Sequence, residues 1–203
     1  MAHKNGVSRR SILKGIGLGG GAVAASALPA FPQTTAGPKV QGPGAVPVTL
    51  TVNGKEYKTN IEPRTTLLNT LRNQLDLTGT KVVCDRGACS ACTVFLDGTP
   101  VCSCMTLAID VGSRKVKTIE GLANGEELHP VQEAFIEHDA LQCGFCTPGM
   151  VMSCAALLER NPSPTEQDVR DAVRGNICRC GTYPKVFDAT LAAAKAMAQK
   201  KGA

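Results

Sequence analysis

A chain of 203 residues has room for one large or two small domains, each with a modest core. It contains no Trp and only two Tyr, and so small and aromatic-poor a core usually needs staples, a part that metal clusters can fill. The formal charge of +5 is local: Lys4, Arg9, Arg10 and Lys14 precede residue 28 with no acid among them, and the other 18 cations face 17 anions. With no Lys/Arg stripe and no set of stacking aromatics, a nucleic-acid partner is excluded.

The N-terminus reads as an address. Ser8-Arg9-Arg10-Ser11-Ile12-Leu13-Lys14 precedes a mildly apolar, Gly- and Ala-rich run from Gly15 to Ala27, and Ala25-Ser26-Ala27 offers a cleavage site. This run falls short of the roughly 20 residues that span a bilayer, so no permanent membrane anchor is expected. Paired arginines beside a weak apolar segment resemble a bacterial twin-arginine signal, with Ile12 where Phe is more usual. Residues 1–27 are therefore expected to engage the twin-arginine export machinery and send the protein to the periplasm. Exported thiols normally end as disulfides. The twin-arginine route resolves that conflict for a chain of ten cysteines, because it carries proteins already folded around their cofactors.

Residues 28–46, rich in Pro, Gly, Ala and Thr, form a linker. Val48, Leu50 and Val52 alternate with threonines and predict a half-buried strand. Asn53-Gly54 turns it back into a second strand over Glu56–Ile61. Leu67, Leu71 and Leu75 make a helical stripe capped by Thr65 or Thr66. Thr93–Leu96 and Pro100–Met105 flank Asp97-Gly98 as a second hairpin, and Val116–Ile119 is a last short strand. From about residue 122 the pattern is helical. His129-Pro130 opens one helix, Thr147-Pro148 a second with Thr147 as N-cap, Thr165–Asp168 a third through a capping box, and Pro184 a fourth. Glu126-Glu127 reads as a solvated helix start. The expected fold is α+β: a domain over 47–121 followed by an antiparallel four-helix bundle over 122–203.

The cysteines carry the chemistry. Cys84-x4-Cys89-x2-Cys92 with a distant fourth Cys is the plant-type ferredoxin spacing. Three thiolates on one loop wrap one side of a two-iron core. The small residues between them let backbone N–H groups reach the sulfurs, which stabilises the reduced charge. Cys102 and Cys104 compete as fourth ligand, since strand periodicity puts both on one face. A zinc site also takes four thiolates, but usually from two separate knuckles. The second set, Cys143-x2-Cys146 and Cys178-x-Cys180, could bind zinc by spacing alone. Each of its halves precedes a helix start, where free N–H groups favour an anionic cluster by roughly 0.3–1 kcal/mol each.

Three motifs, Cys84-Asp-Arg-Gly-Ala-Cys89-Ser-Ala-Cys92, Gln142-Cys143-Gly-Phe-Cys146-Thr-Pro-Gly-Met150 and Gly175-Asn-Ile-Cys178-Arg-Cys180-Gly-Thr-Tyr183, resemble the iron–sulfur subunit of the molybdenum hydroxylases. This is the xanthine dehydrogenase and aldehyde oxidoreductase family, and the resemblance runs from residue 47 to about 195. It implies a ferredoxin-like β-grasp domain and a helical domain, each with one [2Fe–2S] cluster. The ligands it implies are Cys84, Cys89, Cys92 and Cys104, then Cys143, Cys146, Cys178 and Cys180. Cys104 is chosen because the family's Ser-Cys matches Ser103-Cys104. Cys102 becomes an extra thiol and Cys154 a buried helix residue. Ser90 stands where the family usually has Gly, and Met105 where Leu is more usual.

The resemblance also implies partners: a large subunit holding a molybdenum–pterin cofactor, and an FAD-binding subunit or a cytochrome as acceptor. Gln142 and Cys180 are the implied contacts to the pterin. The chain is then the electron-transfer subunit of an aldehyde oxidoreductase, with no catalytic residue or substrate site of its own. An isoquinoline-, nicotinate- or CO-oxidising complex is the competing reading within the family. A zinc- or disulfide-stabilised secreted binding protein is the competing reading outside it.

Overall fold

A computed structural model describes residues 42–202. The signal assigned to 1–27 and all but the end of the 28–46 linker lie outside the described residues. The Val/Thr alternation forms β1 (Val46–Val52), with Leu50 and Val52 fully buried. Asn53 and Gly54 take φ of 51° and 78°, the left-handed pair that a two-residue hairpin requires. They return the chain as β2 (Lys55–Ile61), antiparallel to β1. Helix α1 (Leu67–Asn73) is capped by Thr66, whose hydroxyl accepts the Asn69 N–H at 3.3 Å.

Strands β3 (Thr93–Leu96), β4 (Thr99–Cys102) and β5 (Lys115–Lys117) complete a sheet in the order β2-β1-β5-β3-β4. β1 runs parallel to β5, and the other neighbours pair antiparallel. Leu67 and Leu71 of α1 pack on Leu50, Val52, Val94, Leu96 and Val116, each buried leucine contributing about 1.5–3 kcal/mol. β5 stops before Ile119 because Thr118 turns its N–H to the Asn53 side chain at 2.9 Å, and a 3₁₀ turn over Ile119–Gly121 follows.

The strand expected over Pro100–Met105 is shorter than its sequence pattern. It ends at Cys102, and Ser103–Met105 form a 3₁₀ turn. Ser103 still makes the next cross-strand bond, its N–H to the Cys92 carbonyl at 3.3 Å with its hydroxyl adding a second at 2.8 Å, but the Thr106 N–H bonds back to the Ser103 carbonyl at 3.4 Å and turns the chain out of the strand. The alternation that placed Cys102 and Cys104 on one face does not apply. Cys104 is buried and Cys102 half-buried.

Four helices follow: α2 (Pro130–Glu137), α3 (Thr147–Arg160), α4 (Glu166–Val173) and α5 (Tyr183–Gly202). His129 caps α2 by accepting the Val131 N–H on Nδ1 at 3.2 Å, and Thr165 with Asp168 forms the capping box of α4. The N-cap of α3 is Cys146, not Thr147, because the Met150 N–H already bonds the Cys146 carbonyl at 3.0 Å. Thr147 is thereby inside the helix, and its hydroxyl is buried without a partner. Glu126-Glu127 starts no helix: Asn124 and Glu127 exchange backbone hydrogen bonds in a tight turn.

The helices bury Val131, Phe135, Met150, Met152, Leu158 and Val169 in one core, which also takes in Phe95 from β3. The fold is α+β, and the sheet and the helices meet along β3 and α3. Among the described residues, no helix is long and apolar enough to cross a membrane.

Candidate functional site

The first cysteine loop is shaped by three left-handed residues, Asp85 (φ 51°), Gly87 (φ 73°) and Ser90 (φ 52°). Their reversals coil the backbone inward, so that its amides face sulfur. The Ala88 N–H donates to Cys84 Sγ at 3.3 Å and the Gly87 N–H to Cys104 Sγ at 3.2 Å. Cys84 lies against Cys89, and Cys104 against Cys92. Cys104 reaches this position from the 3₁₀ turn after β4, where Leu68, Cys92 and Cys104 form a small buried cluster with Cys102 at its edge.

The second group repeats the arrangement with other elements. Cys143 and Cys180 are in contact, Sγ to Sγ, at 3.4 Å, and Cys146 lies against Cys178. Gly144 (φ 83°) and Gly181 (φ 78°) supply the reversals here. Cys146 caps α3, and Cys178 and Cys180 sit just before α5, so two helix N-termini adjoin the thiols. Thr182 brings its hydroxyl to 3.3 Å from Cys178 Sγ. The Tyr183 hydroxyl accepts the Cys178 N–H at 2.8 Å and donates to the Asn176 carbonyl at 2.9 Å, which fixes the loop's curvature.

The two loops are joined directly. The Ile177 N–H donates to the Cys89 carbonyl at 3.1 Å, and Asn176 Nδ2 to the Ser90 carbonyl at 3.2 Å. One hydrogen bond plus backbone therefore links Cys89 of the first group to Cys178 of the second. At Gly149 of α3 the approach is backbone to backbone: a Cβ there would lie 2.2 Å from the Ser90 carbonyl oxygen.

In the Cys84–Cys89 and Cys146–Cys178 pairs the two thiols titrate in opposite directions. The Arg86 amide and the Cys89 contact bring Cys84 down to about 7, while burial pushes Cys89 up. Burial and then Cys178 push Cys146 up to about 12. Burial also acts on Cys178, but the hydroxyl and amide of Thr182 with Cys146 outweigh it and bring that thiol down to about 7. Burial and Cys92 hold Cys104 at about 12. Two thiolates side by side cannot both ionise without compensating charge. Each group therefore calls for a cationic centre to hold its four sulfurs as thiolates.

Among the described residues, no three or more His, Cys, Asp or Glu are drawn together to surround a single ion. The thiols gather instead as pairs. Paired thiols with amide donors fit a two-iron core, which takes two terminal thiolates on each iron, so the residues present suit a [2Fe–2S] cluster at each group. All eight sequence-expected cysteines fall in these groups, four to each. Cys154 lies apart, buried in the helical core beside Thr190. Gln142 and Cys180 line one open cleft of about 560 Å³ with Asp139, Thr182 and Lys185. Sequence reasoning gave no role to Gly149, Asn176, Thr182 or Tyr183, although the last three lie within the Gly175–Tyr183 motif.

Comparisons with known proteins agree. A family model described as a 2Fe-2S iron-sulfur cluster binding domain matches residues 50–118, and one described as a [2Fe-2S] binding domain matches residues 118–191. The chain is 46% identical over 157 residues to the nicotine 6-hydroxylase small subunit of Paenarthrobacter nicotinovorans, covering 77% of this chain and 94% of that one. It is 39% identical over 206 residues to the aldehyde oxidoreductase iron-sulfur-binding subunit PaoA of Escherichia coli K12, covering 92% of this chain and 88% of the relative. Among solved structures, a chain of quinoline 2-oxidoreductase from Pseudomonas putida 86 superposes with a TM-score of 0.74 at 41% identity, covering 77% of this chain and 98% of that one. Aldehyde oxidoreductase from Desulfovibrio gigas gives 0.72 at 41% identity, over 76% of this chain and 17% of that larger one.

Proposed function

Because the chain belongs to the iron–sulfur subunits of the molybdenum hydroxylases and is the electron-transfer subunit of an oxidoreductase, we propose that it serves a periplasmic aldehyde oxidoreductase. Its partner is the large molybdenum-binding subunit, whose cofactor we take to be a molybdenum–pterin. FAD on a further subunit, or another acceptor, receives the electrons. When bound, the two clusters supply one-electron carriers between those partners.

This chain's own residues make such a relay workable. Cys84, Cys89, Cys92 and Cys104 hold one cluster, and Cys143, Cys146, Cys178 and Cys180 the other. Backbone amides from Gly87 and Ala88 lie on sulfurs of the first group and there stabilise added negative charge. The Cys89 carbonyl and Ile177 amide make the short connection between the groups. Gln142 and Cys180 line the cleft that we assign to the pterin-bearing edge of the large subunit.

The observation that carries the aldehyde reading is the extent of the Escherichia coli match. It spans 92% of this chain, whereas the nicotine 6-hydroxylase match spans 77%, so the shared length reaches into the N-terminal segment. That same reach supports an exported protein. The higher identity of the nicotine enzyme's subunit favours the second reading, a complex that hydroxylates an N-heterocycle.

Gentle purification with identification of co-purifying chains, molybdenum and flavin tests the assignment, followed by assay of the complex on aldehydes and N-heterocycles. After dithionite reduction, two distinct paramagnetic signals are expected; a single signal would sink the two-cluster reading. Arg9→Lys with Arg10→Lys should hold the protein in the cytoplasm, and continued export would refute the periplasmic assignment.

A further inference from the structure

Ser90 occupies a backbone conformation that favours glycine. Its φ of 52° strains an L-residue when imposed by its surroundings. That backbone is also pinned: the Ser90 carbonyl accepts the Thr93 hydroxyl at 2.7 Å and Asn176 Nδ2 at 3.2 Å. With the backbone fixed, the direction of the side chain is fixed, and Ser90 Oγ lies 3.8 Å from Cys102 Sγ. Cys102 is the last residue of β4 and the register partner of Thr93, next to Cys92. Its thiol packs against the buried cluster of Leu68, Cys92 and Cys104. A hydroxyl, a thiol and a ligand sulfur therefore stand in series, on the side of the first group that meets the helical half.

We propose that Ser90 and Cys102 are positioning residues that donate in series, Ser90 O–H to Cys102 sulfur and Cys102 S–H to Cys92 sulfur, and so raise the reduction potential of the first cluster relative to the second. The inference rests on the two-cluster reading above. Its physical basis is that reduction adds one negative charge to a centre already anionic. A donor aimed at a ligand sulfur interacts more strongly with the reduced form, since a hydrogen bond to a charged group strengthens with the charge it meets. Ser90 supplies no ligand: its part is to orient and polarise the Cys102 thiol, which explains a side chain where glycine would relieve the strain.

The test is a potentiometric titration of the purified complex followed by electron paramagnetic resonance. The first cluster's signal is identified as the one altered by Cys89→Ser. At a fixed potential, Cys102→Ala should lower the reduced-to-oxidised ratio of that cluster about tenfold, equal to about 59 mV for one electron, and leave the second cluster unchanged. Ser90→Ala should lower it about threefold. Ser90→Gly should lower it to the same extent while the melting temperature holds or rises, since the strain is relieved. Cys102→Ser, which keeps a donor, should retain the wild-type ratio. A change of less than twofold in Cys102→Ala, or an equal shift of both clusters, overturns the proposal. So does loss of iron from Cys102→Ala, because Cys102 would then be a ligand. If the wild-type complex itself shows only one signal, the two-cluster reading fails instead, a result distinct from all of these.

Discussion

Gly149→Ala sets two well-understood effects against each other. Gly149 lies in the first turns of α3, where replacing Gly by Ala normally stabilises a helix by about 1 kcal/mol. Here the new methyl would sit 2.2 Å from the Ser90 carbonyl oxygen, 2.9 Å from Ala91 Cα and 3.0 Å from the Ala91 carbonyl carbon. All three neighbours are backbone, so no side chain can swing aside. The Ser90 carbonyl is held by Thr93 and Asn176, and moving it disturbs the cysteine loop and its link to the helical half. Overpacking of this kind costs about 1–3 kcal/mol, and contact with pinned backbone argues for the upper part of that range. The net expectation is a loss of about 1–2 kcal/mol after the helix-propensity gain. For a body of this size that lowers the melting temperature by about 2–4 °C for each kcal/mol. Thermal melting followed in the visible cluster bands and in the far-ultraviolet would show both losses moving together. A melting temperature equal to or above wild type would refute the reasoning, since helix propensity would then outweigh the contact.

Cys104→Ala should lose the first cluster's visible and paramagnetic signature while Cys102→Ala keeps it, with iron content as the check; the reverse outcome would exchange their roles. Cys154→Ala should cost only about 1 kcal/mol, because Thr190 retains its 2.7 Å bond to the Val186 carbonyl when the sulfur is gone; denaturant titration measures it. Burial pushes the Cys154 thiol up to about 12, so a thiol reagent at pH 8 should label it only after unfolding, as mass spectrometry would show. His129 is lowered by burial, with Lys117 adding to the effect and Glu159 opposing it. A histidine depressed in the folded state contributes stability that is full above its unfolded value of about 6.5 and declines as pH falls toward the folded value. Melting temperatures between pH 8 and 5 should therefore drop less in His129→Asn, which keeps a capping side chain but does not titrate.

Much of the fold was legible because its signals are local. Asn53-Gly54 and Asp97-Gly98 take the left-handed angles that their types favour, and Thr165 with Asp168 closes the capping box that the spacing announces. What escaped was set by contacts between distant segments. Strand periodicity alone carried β4 through Cys104, whereas the chain turns after Ser103 so that Thr106 and Leu107 can pair with Leu67 and Thr66, some forty residues earlier in sequence. Thr147 looked like an N-cap because Thr-Pro is a common opening, yet the Cys146 carbonyl already accepts the first helical bond. The thiol membership of the two groups was legible from spacing and resemblance. Their partition into facing pairs was not, because pairing depends on how separate loops meet.

The same meeting of loops explains why so small and aromatic-poor a chain can present two centres side by side. Neither cysteine loop is a free-standing cradle. The first is buttressed by α3 at Gly149 and by Asn176 and Ile177, the two residues before Cys178. The second is in turn held to the carbonyls of Cys89 and Ser90. Each loop thus adds to the other's hydrogen bonding: the Cys89 carbonyl takes the Ile177 N–H, and the Ser90 carbonyl, already held by Thr93, takes the Asn176 amide as well. Forming one set of thiolate contacts therefore organises backbone that the other set needs. The spacing between the centres then follows from a single hydrogen bond and a few backbone links, and does not depend on the packing of two independent domains. A relay built this way has its short step fixed by the contacts between the two cysteine loops and α3.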